Sequence, residues 1–382
     1  MQKRVQIIDF NHMAYNFFFS RHRLSTRVIV DGDPVDKDTT IQNNAIKNVF
    51  KWSNKGFNPT AVCFDRKVTA RKAFWQANFQ GMEIGSGKEY KGNREKMPEQ
   101  MFDAVQDCES IFRTAGVPVF AMQGYEADDL IFACIQYAKQ AYPELPIDVI
   151  TNDADLLPVV DNQVSVFLRS KKGTWAENKD IEKNHYIQVT PDNYQEVVEG
   201  LSAYNGFYLP YNSLLLHKLL RGDSSDQFGC KDISRLYPPK KFNNMMMDFI
   251  ANNIDVSSAF RYSPTKYEIV YRDTGEVFNG TLKEALASPD KSRLRKRVVV
   301  PDNLQIILDA LKAYSPISEE QLERVKNVYF GMNLNQAYAN DDPRLARKEF
   351  VVGKTTDTKV QQYDGIELQK AASTLQIRLN LV

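Results

Sequence analysis

Tyr125-Glu126-Ala127-Asp128-Asp129-Leu130, taken with Ile150-Thr151-Asn152-Asp153-Ala154-Asp155, sets five carboxylates in two tight groups, each touching an apolar run. Carboxylates this close repel one another unless a cation lies between them, so the pattern asks for bound metal. The same stretch decides the fold. From Asp128 to Ala141 the residues Leu130, Ile131, Cys134, Ile135 and Ala138 recur at helical spacing, which puts the Glu-Ala-Asp-Asp group at a helix N-terminus. Ile147 to Ile150 is a short apolar run of the kind that forms a buried strand.

Working outward, the same alternation repeats. Arg4-Val5-Gln6-Ile7-Ile8-Asp9-Phe10 reads as a first strand ending on an aspartate. Ile41 to Trp52 has helical periodicity, Asn58-Pro59 breaks it, and Ala61-Val62-Cys63-Phe64-Asp65 is a second strand, again ending on aspartate. Met101 to Ala115 is an amphipathic helix stopped by Gly116. Val117 to Ala121 then reads as a peripheral strand because of Pro118, and Val164 to Leu168 as a fifth. Such a chain predicts an α/β fold with a mostly parallel, doubly wound sheet, in which ligands bind beyond the carboxyl ends of the strands. Asp9, Asp65 and Asp153 all fall at those ends.

Residues 66–98 have another texture: Arg71, Lys72, Lys88, Lys91 and Arg94 are interleaved with Phe74, Trp75, Phe79 and Tyr90, with glycines at 81, 85 and 87. This is a basic and aromatic excursion from the core. A helix predicted over Tyr211 to Leu220 leads into Arg221-Gly222-Asp223-Ser224-Ser225-Asp226. Tyr267 to Tyr271 and Glu276 to Asn279, split by Asp273-Thr274-Gly275, read as a hairpin, and 291–297 is a dense basic run. Residues 303–313 and 318–330 read as helices, and beyond about Asn340 the pattern assigns nothing.

With 49 basic against 48 acidic residues in 382, affinity for nucleic acid has to come from local clustering and not from net charge. Cys63, Cys108, Cys134 and Cys230 form no CxxC pair, which fits reduced thiols in the cytoplasm and excludes a zinc ribbon. No membrane span or apolar leader is expected. Oxygen donors without histidine suit Mg²⁺ or Mn²⁺ better than zinc.

The ordered motifs Ile8-Asp9-Phe10, Phe64-Asp65, Tyr90-Lys91-Gly92-Asn93-Arg94, Glu126-Ala127-Asp128-Asp129, Asp153-Ala154-Asp155 and Gly222-Asp223-Ser224-Ser225-Asp226 resemble the flap endonuclease family of 5′ nucleases. They are most similar to its phage 5′ nuclease and phage ribonuclease H subgroup, and the likeness covers roughly residues 4–235. It implies a 5′-3′ exonuclease or flap endonuclease, with ribonuclease H activity in view, working in phage-type DNA replication and primer removal. It also implies two Mg²⁺ ions, replaceable by Mn²⁺, with Asp9, Asp65, Glu126 and Asp128 at the first and Asp153, Asp155, Asp223 and Asp226 at the second. Asp129 would sit between them. Asp128 and Asp155 would carry the chemistry together with Lys91 and Arg94 on a helical arch at 66–98. Tyr90, Arg71, Lys72 and Lys88 would join those two as nucleic-acid contacts.

The resemblance divides the chain into a catalytic domain at 1–220, a helical DNA-binding region at 221–335 and a C-terminal extension at 336–382. The second region departs from the family. Where most members carry a glycine-rich helix-hairpin-helix, this chain runs Gln227-Phe228-Gly229-Cys230-Lys231-Asp232-Ile233, so that motif is degenerate and its potassium site is in doubt. Lys231 and Arg235 would replace backbone contacts there. Implied partners are DNA with 5′ flaps, nicks or ends, RNA:DNA hybrids, and a single-stranded DNA-binding protein or sliding clamp. The protein would act as a monomer in the cytoplasm, that of the host if it is phage-encoded.

Simpler readings exist for each group alone. Helix dipoles favour acids in a first turn, and Asp153 and Asp155 could cap a turn. Their recurrence at three strand ends is what neither explains. A binding scaffold that keeps the fold without turnover, and a PIN-type ribonuclease, are the rival functions. A haloacid-type phosphatase needs an early Asp-x-Asp, whereas Asp9 is followed by Phe10 and Asn11.

Overall fold

Each apolar run ending on an acid becomes a strand in the computed structural model. The structure describes residues 2–19, 23–30, 33–66, 72–73, 97–169, 186–201, 244, 266–280, 282–299, 308–309, 311–313, 317–332 and 351–379. β1 (Val5–Asp9) and α1 (Phe10–Phe18) are followed by a hairpin of β2 (Ser25–Val30) and β3 (Asp33–Asp38), then α2 (Thr40–Trp52) and β4 (Thr60–Cys63). Next come α3 (Glu99–Thr114), β5 (Val119–Phe120), α4 (Ala127–Ala141), β6 (Ile147–Thr151), β7 (Val164–Arg169), β8 (Tyr186–Val189) and α5 (Tyr194–Gly200).

Six strands form one sheet in the order β5-β4-β1-β6-β7-β8. All neighbours are parallel except β7 and β8. The period-two alternation of strands divides the core into two layers. Val5, Ile7, Ala61, Cys63, Ile147 and Val149 face the cluster that holds α4. Ile8, Val62 and Ile150 face the cluster that holds α1, α2 and α3. In α4 the helical periodicity buries Leu130, Ile131, Cys134, Ile135 and Ala138, and each fully buried Leu or Ile contributes roughly 1.5–3 kcal/mol. The strand expected around Pro118 is present as two residues on the sheet edge, the position to which a missing N–H confines it.

The predicted hairpin at 267–279 is present but short. Its turn exists, with Gly275 N–H donating to Tyr271 O, but its second arm contributes only a bridge, Val270 to Val277. The regular partner of β9 (Lys266–Tyr271) is β10 (Leu294–Val299), reached through α6 (Leu282–Ala287). The second half of the basic run is therefore a strand, paired with β9 on the edge opposite the one that Val277 meets. Within that run Arg293 is paired with Asp273. The expected helix at 318–330 is α7 (Glu319–Met332); of 303–313, the described residues 308–309 and 311–313 are helical. Tyr211 to Leu220 lies outside the described residues.

The sequence left 351–379 unassigned, and these residues lie against the sheet domain. α8 (Gly365–Ser373) packs on α2 and α3, and Leu368, Ala372, Ile377 and Leu379 enter the core cluster beside them. Among the described residues no helix is long and apolar enough to cross a membrane.

Candidate metal centre

The parallel topology delivers the acids to one rim. Asp9 ends β1 and caps α1, its Oδ1 accepting from His12 N–H at 3.5 Å and its Oδ2 from the Thr151 hydroxyl at 2.7 Å. Thr151 ends the neighbouring strand β6, so one hydrogen bond ties the two strand ends together. Asp65 follows β4 and is exposed; its Oδ1 accepts from Ala127 N–H at 2.7 Å, which fixes the first turn of α4 beside β4. Asp153 Oδ1 accepts from Asp155 N–H at 2.8 Å and caps a short 3-10 turn, Ala154–Val159, the simpler role considered for it.

Glu126 and Asp129 form a capping box at the start of α4, and Asp129 Oδ2 accepts from Glu126 N–H at 3.0 Å. Both side chains are buried, whereas Asp128 between them is half-buried. The helix-end stabilising role considered for these acids is therefore real for Glu126 and Asp129, and Asp128 has no part in that box.

One residue that sequence reasoning passed over is at the centre of this rim. His12 Nε2 lies 3.8 Å from Asp153 Oδ2, with its side chain a third exposed. Its carbonyl accepts from Asn152 Nδ2 at 2.9 Å, which holds α1 to the loop after β6. The imidazole pKa is pushed up to about 9. The charge of Asp9 does most of this against a burial that pulls the other way, and Asp153, Asp65 and Asp128 add to it. His12 thus lies within the combined field of four acids. The available signal was its place three residues after a strand-end aspartate, in the first turn of the next helix.

These donors are oxygens at strand ends, in a field that favours a cation, and they suit a hard divalent ion chemically. Among the described residues no three of them stand close enough to hold an ion by themselves. Of the other expected ligands, Asp223 and Asp226 lie outside the described residues. So do Arg71, Lys88, Tyr90, Lys91, Arg94, Lys231 and Arg235, while Lys72 is described and exposed. At the first residue of the expected arch, Arg66 is held by Glu109 through two hydrogen bonds of 2.9 and 2.7 Å. Burial alone would raise the Glu109 carboxyl, but these bonds and Arg113 hold it below the usual range.

Residues 4–188 match the family described as 5′-3′ exonuclease, N-terminal resolvase-like domain. A 5′-3′ exonuclease of Mycoplasma pneumoniae is 27% identical over 254 residues, covering 65% of this chain and 72% of that protein. A DNA polymerase I of Caldicellulosiruptor bescii is 27% identical over 267 residues, covering 68% of this chain but only 26% of the polymerase. Among solved structures, a bacteriophage T5 protein crystallised with metal ions is 15% identical with a TM-score of 0.46, covering 87% of this chain and 90% of its own. Residues 4–188, which hold the whole described acid rim, are similar to the 5′-3′ exonuclease family along the N-terminal domain that its model describes.

Proposed function

We propose that this protein is a divalent-metal-dependent 5′ nuclease that hydrolyses phosphodiester bonds at 5′ flaps, nicks or ends of DNA, and in RNA paired to DNA, during replication and primer removal. The observation that carries this reading is the acid rim: Asp9, Asp65 and Asp153 stand at the carboxyl ends of neighbouring parallel strands and Asp128 in the first turn of α4, all within residues that match the 5′-3′ exonuclease N-terminal domain. Mg²⁺ is the ion we assign, with Mn²⁺ as substitute, because the donors are carboxylate oxygens. Asp9, Asp65, Glu126 and Asp128 would hold one ion, and Asp153 and Asp155, with Asp223 and Asp226, a second. Asp129, already bonded to Glu126 N–H, would hold the two groups in register. Ions held by these residues would supply an activated water and charge to steady the leaving 3′ oxygen.

The chain's own residues set the geometry. The Thr151 hydroxyl and the Ala127 N–H fix Asp9 and Asp65 at their strand ends. Tyr90 would stack on a base while Lys91 and Arg94 neutralise the phosphate. Asp128 and Asp155 are the acids we assign directly to the reacting phosphate's ions. The setting we propose is a monomer in the cytoplasm, working beside a single-stranded DNA-binding protein or sliding clamp.

The test is a panel of 5′-labelled flap, nick, gap, blunt duplex and RNA:DNA hybrid in Mg²⁺. Cleavage of at least one, lost in Asp155→Asn, is the expected result. No cleavage of any, with Asp155→Asn indistinguishable, would overturn the reading, and tight binding without turnover in Mn²⁺ would favour the scaffold instead.

A further inference from the structure

The underside of the sheet, at the strand ends opposite the acids, holds the chain's own C-terminal segment in a shaped notch. The notch is the turn after α2. There Asn54, Lys55 and Gly56 have φ of 48°, 61° and 89° in succession. Two of the three carry a Cβ in the left-handed region, a strained arrangement that survives only where its surroundings determine it.

What meets this turn is Tyr363 to Gly365, and the fit is reciprocal. A Cβ on Gly56 would stand 2.3 Å from Tyr363 O, and a Cβ on Gly365 would stand 2.2 Å from Lys55 O. Both obstacles are backbone atoms, so no side chain can swing away to make room. The Tyr363 hydroxyl and Ser53 Oγ lie 2.6 Å apart in a buried hydrogen bond, and Tyr363 N–H donates to Gly56 O at 3.3 Å. On either side the segment is pinned to different elements. Thr60 N–H at the start of β4 donates to Gln361 O at 2.8 Å, and Tyr142 after α4 donates its hydroxyl to Val360 O at 2.9 Å. Further on, the Thr26 hydroxyl donates to Leu375 O at 3.2 Å, and Gln376 Nε2 donates to Arg27 O at 3.1 Å. The segment therefore spans α4, β4, α2 and the β2–β3 hairpin, touching elements of both core layers.

We infer that the Gly56–Gly365 interlock is a latch, and that residues 351–379 are a non-covalently held ligand of the nuclease domain that completes it. The domain is then discontinuous, made of residues up to 201 and of 351–379, and its integrity does not depend on the covalent link through 202–350. This goes beyond the family match, which ends at residue 188, and it is independent of the proposed activity.

The experiment uses the full chain with a protease-recognition sequence inserted between Asn340 and Asp341. After cutting, the C-terminal fragment is expected to co-elute with the body in size-exclusion chromatography, and the melting temperature is expected to stay within a few degrees of the uncut protein. Gly365→Ala should release the fragment after cutting, lowering its retention on the order of tenfold, and should lower the melting temperature of the uncut chain by several degrees. Should Gly365→Ala fail to fold, Tyr363→Phe, which removes only the Ser53 bond, should give the same loss in milder form. A wild-type fragment that separates on cutting overturns the inference. So does retention that neither substitution changes.

Discussion

The two ends of one sheet treat charge in opposite ways. At the amino ends of β1 and β6, buried Asp148 accepts from Arg4 Nε and Nη2, both at 2.6 Å, and from Gln6 Nε2 at 2.9 Å. That carboxylate is matched by its own cation and hydrogen-bond donors. At the carboxyl end of the sheet, Asp9 ends β1, Asp65 follows β4 and Asp153 follows β6, and with Asp128 at the start of α4 they act together on His12. The same residue type thus serves cohesion at one end and a gathering of like charge at the other. Such a gathering suits a cation supplied from outside.

The largest effect expected from breaking this contrast lies at the rim. Asp128→Asn should slow single-turnover cleavage of a flap substrate on the order of 10²–10³-fold. The melting temperature should hold or rise, because one repelling charge has gone. A rate within a few fold of the parent would remove Asp128 from the metal centre. The reverse is expected beneath the sheet. Arg4→Leu leaves Asp148 buried without its cation and should destabilise the protein by about 3–5 kcal/mol in urea titrations, with the cleavage rate of the folded fraction unchanged. A midpoint that does not move would mean that Asp148 is reached by water. The smallest effect is a slope with pH. His12 is raised above its unfolded value of 6.5 to about 9, so its contribution to stability in metal-free protein is fully present below about pH 6.5 and is lost as pH rises through 9. His12→Gln should flatten that slope, and saturating Mg²⁺ should flatten it in the parent. An NMR titration placing His12 near 6.5 would contradict the field described for the rim.

Much of this contrast was legible in the amino-acid order. Buried parallel strands must be apolar along their length, so β1, β4, β6 and β7 announce themselves, and the aspartates at their ends mark the rim. Four features were not legible, each for its own reason. β3, Asp33–Asp38, is polar and mostly exposed, so it carries no alternation to read. β8, Tyr186–Val189, is four residues long, and nothing in it says that it pairs antiparallel. His12 looked like one of four scattered histidines, because its significance is spatial. The C-terminal segment makes its bonds across more than 300 positions, as between Ser53 and Tyr363, and its decisive contacts are glycine backbone against carbonyl oxygen. Periodicity cannot see such contacts, since glycine contributes to neither the 3.6 nor the 2.0 repeat.

The long reach of that segment also imposes an order in time. A ribosome adds about 5–20 residues each second, so roughly 8–30 s separate the synthesis of Leu201 from that of Val351. For that interval the strands and their acids can be in place while the notch at Gly56 stands open. Residues made much later than the strands are the ones that close it, so maturation of the domain awaits the synthesis of 351–379.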